Sequence, residues 1–346
     1  MGNRIRMFRA AAVLMTVAAL AGCYPRQVVC RCECDGVAKN KPQTVEETPE
    51  SKKPLSVPDI FKGGAESAPP PADAGPEEGD VVAQGPCGGE IAFRDSGMEL
   101  VVRRNLQKPR GPITALDAAG LTAITNEDKS GRITAVSDIS GIECFGALLS
   151  VRLLNSRLKD LTPLAGLGNL ATLELSGAGI RDVKALSSLS QLEHLALDGN
   201  EISDVTPLVD LRNLQSLSLS RNKITDASAL GRMNWLKTLR LAANRIRDVR
   251  FVKSLEQLRE LCLAENGLTD VGALADSLPV IEILELSGNK IRDLFPLSTT
   301  SAKQKPLQLD LMNNGIDCVK QKSDLETISI LWSEVEIECP EFNTAP

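Results

Sequence analysis

The chain has 346 residues, of which 42% are hydrophobic and only 3% aromatic, so it can hold a large core, but one built of aliphatic side chains. Its 39 lysines and arginines face 45 aspartates and glutamates, a net charge of -6 that argues against a surface for nucleic acid or for anionic lipid headgroups.

Residues 1–22 read as a targeting segment to be excluded from the fold, with Arg4, Arg6 and Arg9 ahead of an apolar run from Ala10 to Ala21. That run of about 12 residues is short of the roughly 20 needed to span a bilayer. It ends in Leu20-Ala21-Gly22-Cys23, which resembles the lipobox of bacterial lipoproteins. The resemblance implies that Cys23 is acylated, becomes the first mature residue and anchors the chain to a membrane. Tyr24 after it resembles the outer-membrane sorting outcome, with the periplasmic and surface faces both open. Ala19-x-Ala21 also suits an ordinary signal peptidase, which leaves plain secretion as the alternative. Loss of the three arginines would leave 36 basic against 45 acidic residues, a mature charge near -9.

Residues 23–35 form a cysteine-rich start. Cys30-Arg31-Cys32-Glu33-Cys34 has poor spacing for tetrahedral zinc, and in an exported, oxidising compartment it suits disulfide formation or cross-linking. Residues 36–86 hold nine prolines and nine acidic residues against five lysines, and cannot bury enough apolar surface to order themselves. They read as an acidic tether reaching about 40 Å as a flexible coil.

From Cys87 the composition becomes globular. Asp95 or Ser96 is expected to cap a helix running to about Leu106, as part of an amino-terminal cap and first coil over residues 87–147.

Residues 148–316 carry one pattern at a nearly fixed interval. Its clearest copies read Leu192-x-x-Leu195-x-Leu197-x-x-Asn200-x-Ile202 and its equivalents from Leu214 and Leu236. Copies begin at Leu148, Leu170, Leu192, Leu214, Leu236 and Leu258, each 22 residues apart, then at Ile281, with a degenerate copy from Pro306. Leu-x-Leu makes one short strand, and one coil cannot bury its own apolar face, so the copies must stack with their strands parallel. Asn200, Asn222, Asn244, Asn266, Asn289 and Asn314 fall where each chain leaves the strand and offer donors and acceptors to stranded backbone groups. Ser156 and Ala178 hold that place in the first two copies, so the ladder is weak at its amino end. Asp160, Asp182, Asp204, Asp226, Asp248, Asp270 and Asp293 read as caps of a short helical turn rather than as a calcium ladder.

The pattern resembles the leucine-rich repeat, and Gly111-Pro112-Ile113-Thr114-Ala115-Leu116-Asp117, Leu121-Thr122 and Ile139-Ser140-Gly141-Ile142-Glu143 are similar to the amino-terminal cap of internalin-like bacterial repeat proteins. The fold expected is a right-handed α/β solenoid with a parallel concave sheet, short helices outside the curve and a cap at each end. Residues 317–346 form the carboxy-terminal cap and tail. A Cys318–Cys339 disulfide would close a loop worth roughly 3 kcal/mol, and a Cys87–Cys144 bridge is one pairing that sequence alone leaves open.

Alternation places one row of Ser150, Thr172, His194, Ser216, Thr238, Glu260, Ile283 and Gln308 on the concave face. A central row holds Arg152, Glu174, Ala196, Ser218, Arg240, Cys262, Glu285 and Asp310, and a third holds Leu154, Ser176, Asp198, Ser220, Ala242, Ala264, Ser287 and Met312. Asp198 lies about 13 Å along the strand from His194, too far to orient it as a triad requires. Cys262 reads as an unpaired, solvent-accessible thiol. The expectation is therefore a non-enzymatic protein without cofactor, metal, nucleic-acid or small-molecule ligand. Its partner is another protein, contacted through Arg152, Glu174, His194, Asp198, Ser218, Arg240, Glu260 and Glu285; the alternative is a structural spacer of the envelope.

Overall fold

A computed structural model describes residues 3–8, 87–275, 281–299 and 308–339. All lie in the compact unit formed by Met1–Gly36 and Gly85–Pro346. The expectations for Cys23, for the Cys30–Cys34 triplet and for the tether at 36–86 lie outside the described residues.

Among the described residues eleven strands form one sheet. The first, β1 (Asn3–Phe8), is followed by α1 (Ser96–Asn105), α2 (Ala115–Gly120) and then β2 (Ala123–Thr125). One three-residue strand per coil follows: β3 (Ser150–Arg152), β4 (Thr172–Glu174), β5 (His194–Ala196), β6 (Ser216–Ser218), β7 (Thr238–Arg240) and β8 (Glu260–Cys262). After α3 (Gly272–Ala275), β9 (Ile283–Glu285), α4 (Phe295–Ser298), β10 (Gln308–Asp310) and α5 (Lys322–Leu331), the chain ends in β11 (Glu334–Cys339). Strands β2 to β11 are all parallel and in chain order.

Register follows the repeat without slippage: Leu173, Leu195, Leu217 and Leu239 pair across neighbouring strands and are 0–2% exposed. Their partners on the pleat point to the other side, which puts each coil's two leucines into one continuous core.

Two structural devices repeat with the leucines. The side chain of Asn222 donates to the carbonyls of Leu197 in the previous coil and Leu219 in its own, both at 2.9 Å, and accepts from the amide of Ile202 at 3.0 Å. Asn244 does the same to Leu219, Leu241 and Ile224 one coil later. The seven aspartates each accept from the amide two residues on, at 2.7–3.0 Å. That bond is an Asx-turn leading into the helical segment rather than the N-cap bond expected, and most of those segments are 3₁₀ helices of three or five residues, such as Thr206–Leu208. Twenty-two residues leave room for little more.

A third device was not visible in the pattern. The residue before each ladder position is left-handed: Asn155, Gly177, Gly199, Arg221, Ala243, Glu265, Gly288 and Asn313 all have φ between 48° and 70°. Glycine meets this demand freely, whereas Arg221, Ala243 and Glu265 meet it with strain.

The amino-terminal cap follows its sequence signals. The carboxylate of Asp95 accepts from the amide of Met98 at 2.8 Å and starts α1, which buries Met98, Val101 and Val102. A disulfide joins Cys87 to Cys144. Strand β2 is an additional coil ahead of the first expected copy. Asn126 stands there where regular coils carry the second leucine, fully buried, and its side chain bonds both the amide and the carbonyl of Leu154.

At the other end, α5 and β11 bury Leu325, Ile328, Trp332, Val335 and Ile337 against the last coil. Cys318 is disulfide-bonded, while the side chain of Cys339 lies outside the described residues. β1, within the segment expected to stand outside the fold, pairs antiparallel with β11 from Asn3↔Cys339 to Phe8↔Glu334.

Candidate functional site

The outward face of the sheet is the surface the sequence pointed to, and the structure brings its three rows together in the expected register. Ser150, Thr172, His194, Ser216, Thr238 and Glu260 stand side by side on successive strands. All stay at least partly exposed, and His194 is the most open of them.

The central row is divided. Arg152 donates to Glu127 and to Glu174, both at 2.7 Å, so two residues singled out for partner contact are bound to each other. Burial raises the Glu174 carboxyl above its ordinary value, against the lowering effect of Arg152. The pair bridges the joint between the coils of Ser156 and Ala178, where the ladder has no asparagine. Arg240 reaches Glu260 at 3.4 Å with both side chains over one third exposed, a contact worth little in stability.

Asp198 is not open to a partner. It is 8% exposed and accepts from the hydroxyl of Ser218 at 2.6 Å and the amide of Ser220 at 2.7 Å. Burial nevertheless raises its carboxyl. It lies beyond the end of β5 and is engaged with β6, so the structure does not bring it to His194.

Farther along, Glu285 is 8% exposed, and burial together with neighbouring Asp310 and Glu260 pushes its carboxyl up to about 7 although Arg240 opposes the shift. Cys262 differs most from expectation. It is disulfide-bonded and 4% exposed, clustered with Ala242 and Ala264 on the outward side of the sheet. The reading of a solvent-accessible free thiol is therefore wrong. Small neighbours and a sulfur–sulfur bond, neither evident from a three-residue strand motif, account for the difference.

Among the described residues no group of histidine, cysteine, aspartate or glutamate is arranged to hold a metal ion, and each of the seven stacked aspartates spends an oxygen on its own turn. No helix among them is long and apolar enough to cross a membrane.

The repeat now has a match beyond its own geometry. A family profile for leucine-rich repeats in two copies fits residues 212–254. A solved internalin C2 of Listeria monocytogenes is 30% identical, with a TM-score of 0.56 over 61% of this chain and 92% of that one. The chain belongs to the leucine-rich-repeat proteins. An internalin of the same organism is also similar, at 24% identity and a TM-score of 0.34 over 68% of this chain and 86% of that one. So is a leucine-rich-repeat protein of Leptospira interrogans, at 21% and 0.49 over 62% and 60%. No curated protein sequence matches.

Proposed function

We propose that this is a non-enzymatic, lipid-anchored protein of the bacterial cell envelope, probing another protein with the outward face of its sheet. The observation that carries the reading is the unbroken row from Ser150 to Glu260, in which each coil contributes one polar, solvent-reachable side chain at a fixed spacing. Rigid presentation of this kind lowers the ordering cost of binding, while Arg240 and Glu260 supply charges of both signs for register. Acylation of Cys23 and a location at the outer membrane complete the proposal on the strength of the lipobox alone.

A photo-reactive residue placed at Thr172 or His194 in intact cells tests it. One discrete cross-linked protein, lost on Arg240→Glu, is expected. A cross-link pattern unchanged by Arg240→Glu, or none from either site, would instead support a passive spacer. Cys23→Ala should release the protein from the membrane fraction; unchanged membrane retention would remove the lipid anchor from the proposal.

A further inference from the structure

The second copy of the repeat lacks side chains where its neighbours have them. Its ladder position and the residues beside it read Gly177-Ala178-Gly179, against Gly199-Asn200-Glu201 and Arg221-Asn222-Lys223 in the next two coils. With no asparagine to reach Leu158, the backbone does so instead. The amide of Leu158 donates to the carbonyl of Ala178 at 2.9 Å, where the equivalent amides of Ile180, Ile202 and Ile224 find the side chains of Asn200, Asn222 and Asn244. That peptide is turned by a φ of 70° at Gly179, a left-handed residue that no other described coil has after its ladder position. The turn also loses a joint bond. From Glu201 to Gly315 the amide after each ladder position donates to the coil before it, whereas the amide of Gly179 has no acceptor among the described residues.

The result is a hollow of about 430 Å³ on the edge of the solenoid where the chain leaves β3 and β4. Leu158, Leu161 and Ile180 form its floor; Leu158 is 4% exposed, whereas its equivalents Ile202, Ile224 and Ile246 are 0%. Arg157, Lys159 and Arg181 form its rim. The side chains of Arg157 and Lys159 make no hydrogen bond or ion pair among the described residues, and Arg181 shares Glu201 with Lys223. Asp182 also lines the hollow, but its carboxylate accepts from the amide of Lys184 at 2.8 Å. Later coils with a glycine at this position close the gap with an arginine. A Cβ at Gly267 would meet Cγ of Arg247 at 3.3 Å and one at Gly315 would meet Cγ of Arg292 at 3.4 Å, but one at Gly179 would meet nothing within 4 Å.

We infer that this hollow binds an acidic peptide segment of a protein partner, seating an aliphatic side chain on the floor and a carboxylate against Arg157, Lys159 and the Gly179 amide. The basic rim selects the charge, and the amide adds a hydrogen bond of the charge-assisted kind. The leucine floor asks for an apolar neighbour to that carboxylate. Free phosphate would satisfy the rim and leave the floor wet, and the net charge of -6 disfavours an anionic bilayer. The site lies beside the outward sheet face rather than on it, so it stands or falls separately from the row Ser150 to Glu260.

The test titrates the full exported chain with a fluorescent pentapeptide of alternating glutamate and leucine, read by anisotropy and by amide NMR shifts. Saturable binding that moves the Gly179 amide, and that weakens about tenfold in the Arg157→Gln, Lys159→Gln double variant, is expected. The equivalent pair on a filled coil, Arg245→Gln with Arg247→Gln, should leave the affinity unchanged, and a peptide of alternating glutamate and serine should bind several-fold more weakly. No binding by the parent chain, an equal loss in both double variants, or equal affinity for the two peptides would overturn the inference. So would displacement of the peptide by inorganic phosphate at equal concentration or by phosphatidylglycerol vesicles, which would assign the hollow to a free oxyanion or to a membrane.

Discussion

Ala243 shows how a single residue carries the strain of the repeat. It holds a φ of 52° immediately before the ladder asparagine of its coil, where its equivalents two coils earlier and two coils later are Gly199 and Gly288. Removing the Cβ relieves about 1 kcal/mol of left-handed strain, partly offset by the freedom glycine gains when unfolded. Ala243→Gly is therefore expected to raise stability by a few tenths of a kcal/mol up to about 1 kcal/mol in urea titration; a loss of stability would mean that the methyl packs better than its backbone sits.

Glu285 predicts a pH dependence at the same scale. Its folded carboxyl holds a proton to about 7, against an ordinary 4.5 when unfolded. Between those values the folded state binds more protons than the unfolded one, so stability is fully present below pH 4.5 and falls as pH rises toward 7. Glu285→Gln removes the titrating group. The variant should match the parent near pH 4 and exceed it by about 2 kcal/mol at pH 8, read from thermal melts at both values. Parallel pH profiles would show that Glu285 is not the group responsible.

At the scale of elements, the amino-terminal cap depends on one covalent closure. The Cys87–Cys144 bridge spans 57 residues, including α1 and β2, and in the loop-entropy picture it is worth roughly 4 kcal/mol. Replacing both cysteines with alanine should lower the denaturant midpoint accordingly and unprotect the amides of α1. An unchanged midpoint would assign the cap's stability to Met98, Val101 and Phe145 alone.

These elements also show what could be read from the chain in advance. The strands, ladder and turns were legible because each is set by residues a few positions apart and repeated at one period. Asn126 was not, because it occupies a leucine position and so breaks the pattern that would have revealed its coil. The left-handed positions were hidden because arginine, alanine and glutamate give no turn signal at Arg221, Ala243 and Glu265. In the candidate site, alternation correctly assigned the rows, whereas the fates of Asp198, Glu285 and Cys262 depend on burial and pairing contributed by residues far away in sequence. Arg152 and Glu174 were selected for their charge, but the charge of each is met by the other.

For the molecule as a whole, stability is a sum of coils and of the joints between neighbours, and the joints are unequal. From Ala178 onward, each is stitched by an asparagine reaching both coils. Asn126 stitches the first coil to the cap. Between the coils of Ser156 and Ala178 the described side-chain links are the ion pair Arg152–Glu174 and the bond from the Ser188 hydroxyl to the carbonyl of Ala165, with no asparagine. Native-state hydrogen exchange should therefore show β2 and β3 opening together at a lower free energy than β5 to β8, with Glu174→Gln widening the gap. Uniform opening free energies along the sheet would rule out such a weak joint.

That joint also gives the molecule a mechanical grain. A load applied along the stack would concentrate at the joint that lacks the asparagine stitch, and the ion pair would act there as a shear pin beside the Ser188–Ala165 bond, shielded little from salt. The amino-terminal cap and first coil would then part from the rest as one block, leaving the stitched coils intact, and would do so at a lower force as ionic strength rises.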